Sequence, residues 1–305
     1  MAYKINLKRF NNLTINTIYG KEFNYELIKL LNKYKLSDEF LIKNNIKVKR
    51  PGDKGFVFVV GANKSFFNYL LTLLVNLKRV FGCKQKIIGF DMGGINEEIL
   101  MKKQIDIVCE LEWRKFDWSI MPRNVHSSQF FSWKIFILAQ IYKEFDTFIW
   151  CDTSITFLDS NALIPLFDSI ENGTISPVVL PSDNHHGIRY ATNPRMYSYL
   201  PMITDWINSS SKWDSNMYEA NLLVFHKSEY TRKFLKWSLL CASTLDCIEP
   251  ASSALYCNND LLELIDLNFL PHYHKDHPKK RMKHQIIRRT NLDPRIDFKK
   301  TVQCC

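Results

Sequence analysis

The feature that most constrains this chain is an alternation of two periods. Phe56–Val60 (FVFVV) is a short continuous apolar run, the length of a buried strand. Ser65–Phe81 then places apolar residues at helical spacing behind a serine suited to cap a helix. Lys86–Phe90 (KIIGF) predicts a second strand, Glu97–Lys103 a short helix and Ile105–Cys109 (IDIVC) a third strand. Gln129–Lys143 predicts a helix and Thr147–Cys151 (TFIWC) a fourth strand. Strand and helix alternating at this spacing predict an α/β fold, a mostly parallel, Rossmann-like sheet with helices on both faces. Beyond residue 155, Asn161–Ile170, Pro194–Leu200 and Ser228–Ala242 read as helices, and Val178–Leu180 and Ala220–Phe225 as strands.

Charge divides the chain. The net charge is +10, but residues 1–50 hold 11 Lys/Arg against 4 Asp/Glu, and residues 272–300 hold 10 against 3. That leaves 20 basic and 24 acidic residues in the span 51–271. A nucleic-acid groove built into the fold would place its positive charge in that span, so no specific nucleic-acid partner is expected. The reading is a basic flank over 1–50, one domain over 51–271 and a basic, flexible tail over 272–305. No signal peptide or apolar stretch long enough to span a membrane is visible in this chain. A membrane role would need an anchor upstream of Met1.

The eight cysteines show no CxxC pair and no zinc spacing. Cys83, Cys109 and Cys151 lie in or beside apolar segments and read as buried thiols. Cys241 and Cys247 could pair in an oxidising compartment. Sequons at Asn12, Asn63, Asn172 and Asn208 permit glycosylation in the secretory pathway.

In open parallel sheets, ligands bind at the carboxyl ends of the strands. Those ends are Gly61-Ala62-Asn63, Asp91-Met92-Gly93 and Asp152-Thr153-Ser154. The most informative is FDTFIWCDTSITFL, where an apolar strand runs into Asp152-x-Ser154. A carboxylate there can reach a divalent cation, and a short polar side chain two residues on can face the same way. Such a pair suits a metal–diphosphate unit, with Mn²⁺ or Mg²⁺ neutralising the charge on a leaving nucleoside diphosphate. The alternative is an Asx-type turn closing a strand. Ala62, Asn63, Asp91, Lys134 and Ser154 are the donor-side candidates, with a simple turn aspartate as the equal alternative for Asp91 and a solvated helix lysine for Lys134, and Asp152 and Asp183 are the catalytic ones. His185, His186 and Glu219 are candidates for the acceptor side.

Further blocks come in order: Arg114-Lys115-Phe116-Asp117, Trp133-Lys134, Trp150-x-Asp152-Thr153-Ser154, Ala191-Thr192-Asn193-Pro194, and Trp237 with Leu240-Cys241-Ala242 and Cys247-Ile248-x-Pro250. In this set the chain resembles an uncharacterised, mainly invertebrate domain family of glycosyltransferase-like proteins, over roughly residues 56–250. The resemblance implies a glycosyltransferase-A-like (GT-A-like) fold, a nucleotide-sugar donor, a glycan or glycoprotein acceptor and a Golgi or other secretory setting. Because this chain shows no signal or anchor, the cytoplasm is the alternative setting. Two departures stand out. Ser154 replaces the second carboxylate of the common transferase motif, and a Cys-His-Arg-aromatic-Asp-Gln-Ser block of the family is missing after Cys257. These departures motivate an alternative, a catalytically inactive binding or scaffold protein of the same fold. A third reading is nucleic-acid binding through the basic flanks.

Overall fold

The structure, a computed structural model, describes residues 4, 6–11, 14–188, 192–201, 216–251 and 287–289. β1 (Asn6–Asn11) and β2 (Thr14–Tyr19) form an antiparallel hairpin, followed by helix α1 (Leu27–Lys33). Next come β3 (Phe56–Asn63), α2 (Phe67–Phe81), β4 (Ile87–Gly93), α3 (Ile99–Asp106) and β5 (Leu111–Lys115). Helix α4 (Ser132–Glu144) leads into β6 (Thr147–Cys151) and the short β7 (Ile155–Phe157). Then follow α5 (Ile164–Glu171), β8 (Val178–Val179), β9 (Asp183–Gly187), β10 (Asn216–Tyr218) and β11 (Leu222–His226). α6 (Glu229–Ala242), α7 (Leu245–Ile248) and β12 (Ile287–Arg289) complete the described elements. No helix among the described residues is long and apolar enough to cross a membrane.

Six strands make the central sheet, in the order β5-β4-β3-β6-β11-β8. The first four are parallel, while β11 runs antiparallel to β6 and to β8. Counted by chain order within the sheet this is 3-2-1-4-6-5. A doubly wound Rossmann sheet is 3-2-1-4-5-6; here the last two are exchanged and the inserted strand is reversed. The α/β class with a mostly parallel sheet expected from the alternation is the one observed.

The period of two along each strand distributes side chains to two cores. Val57, Val59, Phe148, Trp150, Leu223 and Phe225 face the side covered by α4 and α6. Phe56, Phe58, Val60, Ile149, Cys151, Leu222 and Val224 face the side covered by α2 and α5. Burial on both faces explains why these strands read as unbroken apolar runs. Gly89 is needed for close approach: a Cβ there would lie 2.4 Å from the Trp113 ring.

Three expectations are corrected. Ile105–Cys109 is not a strand: Ile105 lies in α3, and the edge strand is β5, which alternates apolar and charged residues (LEWRK). Ile105 and Val108 are still buried, so their apolarity reflected the core and not the period. The boundary at residue 50 is no boundary either. Phe23, Leu31, Tyr34 and Leu36 are part of the core on the α4–α6 side. Arg232 of α6 fastens this N-terminal segment, donating to the Leu36 and Ser37 carbonyls at 2.6 and 2.8 Å and to Asp38 Oδ1 at 3.2 Å. Its remaining N–H groups pair with Glu229, and Lys236 reaches Asp38 at 2.6 Å. Finally, part of the supposed flexible tail pairs with the body: β12 lies antiparallel along β7.

Candidate functional site

Because β3, β4 and β6 are parallel, their carboxyl ends open on one side of the sheet. β3 is the switch point, where neighbouring connections leave in opposite directions and leave a crevice. A cleft of about 380 Å³ lies at the ends of β3 and β4, with Asn63, Lys64, Met92, Gly93, Trp118 and His126 among its lining residues. The loop after β3 is shaped by Asn63, whose Oδ1 accepts the Ser65 N–H at 3.0 Å and caps the turn entering α2.

Asp152 follows the last residue of β6. Its backbone N–H donates to the Asn221 carbonyl at 2.8 Å, extending the β6–β11 pairing by one residue. Its Oδ1 accepts the Trp150 indole N–H at 2.6 Å and the Lys134 ammonium at 2.9 Å. Lys134 is 4% exposed and also donates to the Ala220 carbonyl at 2.9 Å. The rings of Trp150 and Trp133 lie 5.3 and 5.9 Å from its Nζ, within cation–π range. Gly61 makes room for this arrangement, since a Cβ there would come within 3.0 Å of the Trp150 ring. α4 starts immediately after Phe131, which holds a left-handed φ of 52° that is uncommon for a bulky residue. The Ser132 hydroxyl ties the same helix start to the Val125 carbonyl at 3.1 Å.

The result is a carboxylate with one oxygen pinned and the other open. The Asp152 side chain is 35% exposed, and its Oδ2 accepts no hydrogen bond from the described residues. Such a group can accept a hydroxyl proton or a hydroxyl hydrogen bond while its orientation stays fixed. The neighbouring thiol is no competitor. Burial, reinforced by the Asp152 charge, pushes the Cys151 thiol well above its ordinary range.

The predicted residues meet different fates. Asp152 and Lys134 come together, and Asn63 lines the cleft. Ala62 is buried in the apolar cluster beside α2. Asp91 is 1% exposed, and its carboxylate accepts the backbone N–H groups of Gly93, Ile95 and Asn96. It closes its own loop and does not face a ligand, a correction to its donor-side assignment. Ser154 is half-buried in a turn closed by the Ile155 N–H on the Asp152 carbonyl at 3.0 Å. The alternation that would aim it with Asp152 stops at Cys151. Asp183, His185 and His186 lie on β9, paired with β10, and their side chains lie outside the described residues. Glu219 donates its backbone N–H to the Ser182 carbonyl at 2.7 Å and accepts the Asn221 side-chain amide. Arg114, within a block of the resemblance, is structural: it forks onto Glu144 at 2.8 and 2.6 Å and joins β5 to α4.

Sequence reasoning missed the partners of Asp152. The Trp150 indole lies two residues away and was readable from the strand period; Ala220 is 86 residues from Lys134 and was not. Asn221 was missed too. Its Oδ1 is a buried acceptor without a hydrogen-bond partner among the described residues.

Mn²⁺ and Mg²⁺ prefer several oxygen ligands, usually with carboxylates among them. Here one carboxylate already carries an ammonium on one oxygen, and the second residue of the motif is a neutral hydroxyl in a turn. No group of three or more His, Cys, Asp or Glu converges among the described residues. The donor set among the described residues does not fit a divalent cation.

Residues 5–139 match a family described as Protein of unknown function (DUF1647). The expected resemblance to an uncharacterised domain family is thereby shown for that span. It starts inside the supposed N-terminal flank and ends in α4, before Trp150 and Asp152. A comparison with curated proteins finds no match. Among solved structures, the chain is similar to the galactosyltransferase LgtC in complex with donor and acceptor sugar analogs (12% identity, TM-score 0.37, covering 59% of this chain and 60% of that one). It is also similar to the bifunctional glycosyltransferase WbbM (12% identity, TM-score 0.39, covering 66% and 38%). A third is the glycosyltransferase GlyE of Streptococcus pneumoniae TIGR4 (10% identity, TM-score 0.32, covering 59% and 36%). The chain thus spans between 36% and 60% of the length of these structures.

Proposed function

We propose that this chain is a glycosyltransferase that takes a nucleotide-sugar donor in the cleft beside Asp152 and passes the sugar to a glycan or glycoprotein acceptor. The observation that carries the reading is an oriented, half-open carboxylate at the carboxyl end of β6, on the same side of the sheet as the cleft at the ends of β3 and β4. The nucleotide lies against the Asn63–Ser65 turn, where capped backbone and Lys64 face the cleft. Asp152 Oδ2 accepts a hydroxyl of the bound sugar, with Oδ1 held by Trp150 and Lys134. The acceptor enters from the side of β9 and Glu219, where Asp183, His185 and His186 supply candidate bases.

The test is a binding screen of the purified full chain against several nucleotide sugars by calorimetry, with a hydrolysis assay for turnover. Binding of at least one donor, weakened by Asp152→Ala, is the expected result. Folded protein that binds none, with or without added Mn²⁺, sinks the proposal. A second reading, a glycan-binding protein without catalysis, is favoured by Ser154 standing where a second carboxylate is common. It requires glycan binding that Asp152→Ala leaves unchanged. The setting we propose is the secretory lumen, supported by the Cys241–Cys247 disulfide, a bond that persists under oxidising conditions.

A further inference from the structure

We infer that the Lys134 ammonium is the resident counter-cation of Asp152, occupying the seat that a divalent metal would take, and that the site binds its ligands without such a metal. The inference rests on the proposed function only for naming those ligands as nucleotide sugars; the cation assignment stands on geometry. Lys134 is fixed from several directions: by Asp152 Oδ1, by the Ala220 carbonyl, and by the faces of two tryptophans. It is buried, while the carboxylate it neutralises reaches solvent. A metal at Asp152 would therefore have one free oxygen, Oδ2, and an ammonium on the other oxygen of the same carboxylate. A dication so placed meets like-charge repulsion that burial strengthens. The neutral Ser154 adds no charge to offset it. With Lys134 replaced by an apolar residue of similar length, Asp152 has both the free charge and the free oxygen that a metal needs.

The experiment is a Mn²⁺ titration, metal alone, followed by electron paramagnetic resonance on four full-length proteins: wild type, Asp152→Asn, Lys134→Met and the double variant. Wild type and Asp152→Asn are expected to bind Mn²⁺ with the same affinity. Lys134→Met is expected to gain a site at least about tenfold tighter, which the double variant lacks. One Mn²⁺ bound to wild type and weakened tenfold or more by Asp152→Asn overturns the inference. A folded Lys134→Met protein that gains no site overturns it as well. If Lys134→Met fails to fold, the comparison of wild type with Asp152→Asn decides alone. Failure of every nucleotide sugar to bind sinks the glycosyltransferase reading and leaves this metal titration unchanged.

Discussion

Two buried cations in this molecule are held in opposite ways. Arg232 is 0% exposed, and each of its five N–H donors has an acceptor: two on Glu229, one on Asp38 and two on backbone carbonyls. Lys134 is nearly as buried but neutralises a carboxylate that is left half satisfied. The first arrangement is closed and leaves nothing for a ligand; what it does is hold residues 36–42 against α6. The second is open on one side, at the carboxyl ends of the parallel strands. Buried charge is costly unless compensated. The two centres teach that a closed network marks fastening, whereas a buried cation beneath an exposed, half-free carboxylate marks a surface prepared for something else.

The sharpest way to break this comparison is to remove both cations. Arg232→Met strips the Leu36 and Ser37 carbonyls of their guanidinium donor and removes the Arg232 bonds to Glu229 and Asp38, and is expected to cost about 3–5 kcal/mol. Lys134→Met leaves a carboxylate that water can reach, so its cost should be about 1 kcal/mol. Urea unfolding followed by circular dichroism measures both. Equal losses would mean that the Asp152 pair is as structural as the Arg232 knot.

Helix α6, which carries the knot, has a second fastening at its other end. Cys241 and Cys247 form a buried disulfide joining it to α7. The enclosed loop is short, so the entropic gain lies at the low end for disulfides, about 2 kcal/mol. The Cys241→Ala, Cys247→Ala double variant should lose that amount and leave ligand affinity at Asp152 unchanged. A large change in affinity would show that α6 also sets the geometry of the open centre.

How much of this was legible beforehand follows from the physics of each segment. β6 and the cores of β3 and β4 were readable because burial on both faces leaves unbroken apolar runs, and Thr147–Cys151 matches in its bounds. β5 was misplaced because an edge strand half in solvent carries Glu, Arg and Lys. The segment before residue 50 reads as a charged flank, since the bonds that tie its residues 36–38 to α6 come from Arg232, almost two hundred residues away. At the site, Asp152 and Lys134 were both named from local context. Their direct pairing, the Ala220 carbonyl beneath Lys134 and the inward turn of Asp91 depend on tertiary placement, which no local window contains.

A narrower change sharpens the comparison from within the open centre. Trp150→Phe keeps the ring in the core but removes the indole N–H from Asp152 Oδ1. A hydrogen bond to a charged group contributes about 1.5 kcal/mol, so stability should fall modestly. Ligand affinity should fall more than stability does, because the carboxylate loses one of the two donors that orient it. A stability loss with no change in ligand affinity would argue that the orientation of Asp152 is irrelevant to binding.

The smallest effect belongs to a third buried polar group, at the opposite end of the sheet. His226 is 6% exposed and sits between the Ile46 carbonyl, 2.8 Å from Nε2, and the Thr147 hydroxyl, 3.1 Å from Nδ1. The Thr147 oxygen accepts the Lys49 N–H at 3.0 Å, so its proton is free to point at Nδ1 and Nε2 donates to Ile46. That is a neutral ring with both nitrogens matched, and a second proton would face the hydroxyl proton of Thr147. Burial accordingly lowers the His226 pKa below its ordinary value of 6.5. In the unfolded chain the ring protonates near that ordinary value, while in the folded protein it resists. Stability from this group is therefore complete above about pH 6.5 and declines as pH falls below it, down to the folded pKa. His226→Gln cannot protonate. It should cost about 1 kcal/mol at pH 8 and show a shallower loss of urea midpoint between pH 7 and pH 5 than wild type. Both proteins share every carboxylate, so the difference of the two pH curves isolates the histidine. Parallel curves would show that the ring stays open to protonation, and that this third centre is, like Asp152, unsaturated rather than closed.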